Sequence, residues 1–321
     1  MEIKNVLLLG GSGFVGGWIA SALSDRGVRV TIPTRRRENT KQLIMLPMID
    51  MVEANIHDPR ALAELMQGQD AVINLVGILH DGDSRLPFGK GFAKAHAELP
   101  KTIVGAMRQS GVKRLVHMSA LQAGVKAPSE YLRSKGEGEA AARAATGDLE
   151  VTIFRPSVIF GPDDAFLNTF AKLARLFPVL PLASGAAAFQ PVFVGDVANA
   201  FVDCLGKPAT FGQTYELCGP KVYTLRELVE YAAKLIEKPR RIIDLGTGGW
   251  AYLQAGVMWL LPNPPLSPDN LRSMEVDSVT NGSRDYPDWR PTPLEAVAPC
   301  YLSPNELTQF RLDRYRFRAG R

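Results

Sequence analysis

A doubly wound α/β fold built on a parallel sheet is what this sequence of 321 residues predicts. Two observations carry that reading. Short apolar runs alternate with helical patterns through the first half of the chain, and the first run, Val6-Leu-Leu-Leu9, opens straight into Gly10-Gly-Ser-Gly-Phe-Val-Gly16. Parallel neighbours need crossovers, and crossovers are usually helices, so a strand-helix rhythm implies a parallel sheet covered on both faces.

Taken in order, Val6–Leu9 reads as a strand, Trp18–Arg26 as a helix, Val28–Thr34 as a strand and Asp50–Ala54 as a short strand. A helix over Pro59–Met66 and a strand over Asp70–Val76 follow. The next helix, Ala93–Gln109, should kink at Pro100, because proline removes a hydrogen bond and crowds the preceding turn. The strand Arg114–Met118, the helix Ser129–Ala145 and the strand Val151–Phe154 complete the alternation.

Past Gly161-Pro162 the rhythm breaks into helices separated by Pro178, Pro181, Pro208, Pro262, Pro264, Pro265 and Pro268. The expected organisation is a nucleotide-binding domain over 1–162, with a return segment near 190–205. A smaller, mostly helical domain for substrate or partner occupies 163–321.

Composition narrows the function. Hydrophobic residues make up 46% and charged residues 22%, which is globular rather than disordered. A net charge of +4 argues against nucleic acid as a partner. The last eleven residues hold five arginines, read either as a solvated tail or as a contact for phosphate or an acidic membrane surface. Three cysteines, far apart in sequence, are expected to be reduced in a cytoplasmic setting. The four histidines lack the spacing of a metal site, so no metal is expected. The N-terminus reads as a strand rather than a signal peptide, and Trp250–Leu261 falls short of the ~20 residues that span a bilayer. That aromatic stretch, with Trp250, Tyr252, Met258 and Trp259, reads as core, as a cleft for an isoprenoid tail or as a surface on lipid.

The glycine run has the spacing GxxGxxG. Gly10 permits a tight turn, Gly13 lets backbone approach a pyrophosphate, and Gly16 allows close packing of the helix whose N-terminus faces that anion. Between a first strand and a helix this is a Rossmann-type dinucleotide fingerprint, with Ser12, Phe14 and Val15 as further contacts. An NAD site usually places an acid after the second strand; here Arg35, Arg36 and Arg37 stand there instead. They suit the 2'-phosphate of NADP(H), preferred over NAD(H), or form a solvated basic turn. Asn55 and Ile56 end the third strand where adenine is commonly gripped, and Leu75, Val76 and Gly77 end the fourth near the pyrophosphate. Both stretches read equally well as turns.

With these motifs assembled, the chain resembles the short-chain dehydrogenase/reductase superfamily in its extended, epimerase-like branch. The likeness rests on GGSGFVG (10–16), NLVG (74–77), YLRSK (131–135), FRPSVIFGP (154–162) and PVFVGDVA (191–198). Within that branch it is most similar to an atypical group that includes the nucleotide-binding accessory subunit of respiratory complex I and related bacterial proteins, some associated with quinone metabolism. The resemblance implies Tyr131 as the proton-passing phenol and Lys135 as the residue that holds the nicotinamide ribose and lowers the tyrosine pKa. It further implies Ser119 as the hydroxyl on the substrate oxygen, although the catalytic place in the extended branch falls on Ala120. The asparagine place falls on His96, read as a proton relay or as a packing residue. Pro156 and Val158 are implied as neighbours of the carboxamide.

Two functions follow as expectations. One is an NADPH-dependent oxidoreductase acting on a hydrophobic carbonyl or a quinone-related compound. The other is a non-catalytic nucleotide-binding accessory or sensing protein of a respiratory or quinone-biosynthesis complex. Either is expected in the cytoplasm, peripheral at the inner membrane, without a transmembrane segment.

Overall fold

The computed structural model describes residues 3–36, 43, 45–83, 86–259, 266–282 and 284–303. Arg37, the C-terminal arginine cluster and the side chains of Met258 and Trp259 lie outside the described residues.

The chain opens with β1 (Asn5–Leu9), α1 (Phe14–Asp25), β2 (Arg29–Thr34), β3 (Ile49–Glu53), α2 (Pro59–Leu65) and β4 (Ala71–Asn74). A single helical turn, α3 (Lys90–Phe92), leads through a π-helical turn (Ala93–Glu98) into α4 (Leu99–Ser110), followed by β5 (Arg114–Met118), α5 (Glu130–Ala144) and β6 (Glu150–Pro156). Then come β7 (Ile159–Phe160), α6 (Leu167–Leu176), β8 (Val179–Ala183), β9 (Ala188–Phe189), β10 (Val192–Phe193) and α7 (Val194–Asp203). The remainder is β11 (Thr214–Leu217), β12 (Tyr223–Thr224), α8 (Leu225–Leu235), β13 (Arg241–Gly246), α9 (Gly249–Trp259), α10 (Pro268–Ser273) and α11 (Leu294–Leu302).

Two compact units result. The first comprises Met1–Pro156, Gly195–Leu217 and Arg284–Tyr286. Among the described residues its sheet has seven strands in the order β11-β6-β5-β4-β1-β2-β3, all paired in parallel. The strand order reverses between β1 and β4, the switch point at which open α/β sheets bind ligands beyond the carboxyl ends of their strands. Residues Val6–Leu9 are wholly buried, as a strand covered on both faces requires. Leu7 and Leu9 join a core with Leu62, Val72, Ile103, Met107 and Leu115, while strand alternation sends Val6 and Leu8 to the other face.

Buried Arg114 anchors the middle of this unit. It is 1% exposed, and its guanidinium donates to Cys204 O at 2.7 Å, Leu205 O at 3.2 Å and Glu150 O at 2.7 Å, with the Phe211 ring beneath it. Carbonyl dipoles thereby compensate a charge that burial alone would penalise heavily.

The expected kink at Pro100 is corrected. Pro100 sits in the first turn of α4, and the irregularity is the π-helical turn just before it. Proline cannot donate to the carbonyl four residues back, which is His96 O. That carbonyl lies instead against Gly138 of α5, where a Cβ would come within 2.0 Å of it.

The second unit comprises Ser157–Val194, Cys218–Ser283 and Pro287–Arg321. Its core gathers Leu167, Ala171 and Ala174 from α6, Leu228, Val229 and Ala232 from α8, and Leu294, Ala298 and Tyr301 from α11. Small strand pairs accompany the helices: β8 with β13 and β7 with β10 in parallel, β9 with β12 antiparallel. Asp164, in the Gly161-Pro-Asp-Asp164 turn, accepts from Gly161 N, Phe166 N, Asn168 N and Tyr301 Oη, which ties α11 to the start of α6.

Candidate functional site

The glycine loop bridges β1 and α1. Gly10 has φ +82°, a left-handed conformation that favours glycine. A Cβ on Gly16 would stand 2.4 Å from Gly10 O, so α1 approaches the turn closely only because that side chain is absent. Gly13 is the N-cap of α1, without a side-chain cap bond, and the first turn carries no acidic residue. An anion is the natural partner for the free amides there. Gly10 also abuts the start of the next strand's loop, its Cβ position 3.2 Å from Leu75 C and Val76 N, so both sides of the switch point line one cradle. This cradle fits a dinucleotide pyrophosphate. Ser12 is exposed there, and Phe14 and Val15 are partly exposed.

Arg35 and Arg36 follow β2 in a turn closed by Thr34, whose Oγ1 donates to Arg36 O at 3.0 Å; both arginines are exposed. Ala54 N donates to Thr34 O, which brings the end of β3 alongside. There Asn55 Oδ1 accepts from His57 N at 3.1 Å, while Ile56 packs against the core. His57 is held below its ordinary value first by burial and then by the charges of Lys94 and Arg35.

Tyr131 and Lys135 lie on the first turns of α5, whose N-cap Ser129 accepts from Leu132 N at 3.1 Å. Spaced by four, they share one helix face. The Tyr131 ring, half-buried, meets His96 edge-on at 5.6 Å and Phe92 at 6.2 Å. Burial pushes its phenol up to about 12. Burial also lowers the Lys135 ammonium to about 8, against the opposing pull of Glu139. Lys135 Nζ donates to Met118 O at 2.8 Å and stands 3.7 Å from the Cβ position of Gly77, so it joins the ends of β4 and β5. The implied lowering of the tyrosine pKa is not what this arrangement gives: desolvation governs the phenol, and Lys135 is turned to the Met118 carbonyl.

Two neutral histidines frame the lysine. His96 Nε2 accepts from Ile78 N at 3.0 Å, so its proton sits on Nδ1 and is donated to Ser134 Oγ at 2.8 Å; Ser134 in turn donates to Tyr131 O. Burial, then the charges of Lys135 and His117, drive His96 down to about 2. Asn74 Oδ1 accepts from Val76 N, which directs its amide group to donate to His117 Nδ1 at 3.1 Å. Burial and Lys135 take His117 down to about 3. Of the two readings of His96, the geometry realises the packing and loop-fixing one: it ties the Leu75–Ile78 loop to α5.

Ser119 is 2% exposed and lies beside the Glu139 carboxylate without a well-formed hydrogen bond of its own. Its backbone N donates to Phe154 O at 2.7 Å. Glu139, one turn beyond Lys135, accepts from Arg155 Nε at 2.8 Å and Nη2 at 2.7 Å, and pairs with Arg143. Burial pushes Glu139 up, but the bonds and charge of Arg155, with the bond from Arg143, outweigh it and hold the carboxyl below its ordinary value. A cavity of about 370 Å³ opens beside this pair, lined by Ala123, Gly124, Gly136, Ala140, Arg143 and Arg155.

The model of the NAD dependent epimerase/dehydratase family matches residues 6–218. The chain belongs to that family. Its relatives differ in what their names say of them. Mouse (Mus musculus) mitochondrial NADH dehydrogenase (ubiquinone) 1 alpha subcomplex subunit 9 is 33% identical over 301 residues, covering 90% of this chain and 77% of that protein. Ceramide reductase of Caulobacter vibrioides is 28% identical over 253 residues, covering 79% of this chain and 76% of that protein. Among solved structures, the dTDP-glucose 4,6-dehydratase DesIV of Streptomyces venezuelae, with NAD bound, superposes with a TM-score of 0.66. That match has 22% identity over 75% of this chain and 84% of the other, a likeness of fold.

In this epimerase/dehydratase chain the first unit brings together Gly10, Gly16, Leu75, Val76, Gly77, Tyr131 and Lys135 around the switch point and the adjoining strand ends. Pro156 closes β6, its carbonyl accepting from Leu121 N at 3.0 Å. Val158 belongs to the second unit, where its carbonyl accepts from Val192 N. Sequence reasoning did not single out Glu139 or Ser134 as site neighbours, whereas Asn74 belongs to the NLVG stretch expected near the pyrophosphate. For Glu139 a signal exists: an acid four residues after a lysine on a helix stands on the same face.

Proposed function

We propose that this protein is an NADP(H)-binding oxidoreductase that reduces a hydrophobic carbonyl or quinone-related compound. The observation that carries the reading is the placement of Tyr131 and Lys135 on one face of α5, with Lys135 Nζ 3.7 Å from the Cβ position of Gly77. A phenol raised to about 12 keeps its proton at neutral pH, and an ammonium at about 8 remains mostly charged. Such a pair can pass a proton to a developing alkoxide. A bound nicotinamide would supply the hydride.

The glycine cradle and the N-terminus of α1 hold the pyrophosphate in this reading, and Leu75, Val76 and Gly77 flank it. Arg35 and Arg36, exposed at the end of β2, take the 2'-phosphate, which favours NADP(H) over NAD(H). Asn55 and Ile56 border the adenine, and Pro156 borders the carboxamide. Tyr131 is the proton donor and Lys135 the ribose ligand.

The second reading is a nucleotide-binding accessory or sensing protein attached to a membrane complex at the inner membrane. It is favoured by the association of Ser119 with Glu139 and by the mouse relative, named as a subunit of NADH dehydrogenase. Tyr131→Phe separates the two. An oxidoreductase loses NADPH-dependent turnover while calorimetry finds unchanged NADPH affinity. Tight NADPH binding without turnover of ubiquinone analogues or long-chain carbonyls in the wild-type chain supports the accessory reading.

A further inference from the structure

One surface of the second unit is built by three adjoining elements. The parallel pair β8 and β13 turns Leu180, Leu182 and Ile242 into the core. Strand alternation then sends outward Val179 with its partner Arg241, and Pro181 with its partner Ile243. Leu176 and Phe177, which end α6 and lead into β8, are 74% and 51% exposed. Helix α9 packs along the same pair, with Gln254 Nε2 donating to Pro181 O at 2.7 Å. It buries Ala251 and Ala255 and leaves Trp250 73% and Leu253 56% exposed.

The charges around this surface have one prevailing sign. Between Asp244 and Asp269 no residue is charged. Lys172 and Arg175 on α6, then Lys238 and Arg241 entering β13, are exposed at its border. Arg240 caps α6, its Nε donating to Ala174 O at 2.7 Å. Of the acids nearby, Asp244 lies 3.7 Å from Arg226 and Glu275 accepts from Tyr252 Oη of α9 at 3.3 Å, so the five cations outnumber Asp244, Glu237 and Glu275.

We propose that this surface rests on an anionic lipid bilayer. Large apolar side chains standing out of a fold, bordered by long cations, suit the boundary between headgroups and acyl chains: tryptophan settles at the headgroup level and Lys/Arg reach the lipid phosphates. The core of a protein interface, by contrast, is depleted in lysine. The proposal goes beyond the reading of the nucleotide site and needs no nucleotide for its test.

The test sediments the full chain with vesicles of phosphatidylcholine, alone or mixed with phosphatidylglycerol. The expected result is binding to the mixed vesicles that weakens with salt, with tryptophan emission quenched by brominated acyl chains. Replacing Trp250→Ser together with Leu253→Ser lowers partition at least tenfold and removes that quenching. Lys238→Gln with Arg241→Gln costs about five-fold per charge, and only with phosphatidylglycerol present. All four positions are exposed, so unfolding temperatures stay unchanged and a folding defect is excluded by that measurement. Equal binding by the Trp250/Leu253 variant, or loss of all binding when only the arginines of 311–321 are neutralised, overturns the proposal. So does self-association that depends on Trp250 in a chain that ignores vesicles, which gives the surface to a second copy.

Discussion

The carbonyl oxygen of His96 occupies the space where a side chain on Gly138 would begin, 2.0 Å from the Cβ position. The oxygen is displaced toward α5 because Pro100 offers it no N–H, and α5 accepts it because residue 138 is glycine. Replacing Gly138→Ala forces the π-helical turn and α5 apart. The expected cost is about 2 to 3 kcal/mol, read as a lower urea midpoint with an unchanged slope. An unchanged midpoint contradicts the close approach.

Arg155 and Glu139 form the buried ion pair of the first unit. Arg155→Met leaves a carboxylate that is 4% exposed with the half-exposed Arg143 as its remaining cation, at a cost of about 3 kcal/mol. Adding Glu139→Leu to the same chain recovers most of that loss, because the stranded charge goes with it. A double-mutant cycle measures the difference, and additive losses in the two single variants refute the coupling.

The two buried neutral histidines weaken the fold in acid. In the unfolded chain both bind protons below about pH 6.5, whereas in the folded chain His117 waits until about 3 and His96 until about 2. Stability therefore falls as pH drops through this window, by about 1.4 kcal/mol per unit for each histidine. Chemical unfolding at pH 7 and pH 5 should show the decline, and His117→Asn should flatten it by about half.

In the proposed reductase, Lys135 sets a basic limit on turnover. Its ammonium is lost near pH 8, and Glu139 is what keeps that value from falling further. A carbonyl-reduction rate that declines above about pH 8 is expected. Glu139→Gln moves the decline to lower pH while leaving the KM for NADPH in place. A pH profile unaffected by Glu139→Gln refutes the coupling.

The basic turn after β2 predicts cofactor choice. Arg35→Ser with Arg36→Ser removes the paired guanidiniums and lowers NADPH affinity by about tenfold or more, with NADH affinity nearly unchanged. Calorimetric titration with each nucleotide reads both. Equal losses for the two nucleotides place the 2'-phosphate elsewhere.

Much of the first unit was legible because its strands are buried on both faces. Arg114–Met118 stands out of the sequence with its ends correct: Leu115, Val116 and Met118 form a short apolar stretch between Lys113-Arg114 and Ser119. Strand β11, Thr214-Tyr-Glu-Leu217, was not legible: it is a short edge strand, half-buried and with a glutamate in the middle, so neither alternation nor an apolar run marks it. The irregular turn was assigned to Pro100, but a proline in the first turn of a helix acts on the carbonyl behind it. At the site, the glycine loop and the Tyr131–Lys135 spacing are local patterns and could be read directly. The Arg155–Glu139 pair joins a strand to a helix, a meeting that only the folded chain defines.

The first unit is also discontinuous in sequence, and this bears on how the protein is made. Its edge strand β11 and Tyr286 emerge from the ribosome long after β6, with much of the second unit synthesised between them. Until they arrive, β6 is an open edge, and Phe154 lacks the rings of Tyr215 and Tyr286 that pack on it. A nascent chain released at Pro156 carries the whole glycine loop and the Tyr131–Lys135 pair on a sheet that is ready to capture a foreign strand. Fragments meant to isolate the nucleotide domain must therefore graft the two later stretches back, or be handled as aggregation-prone intermediates.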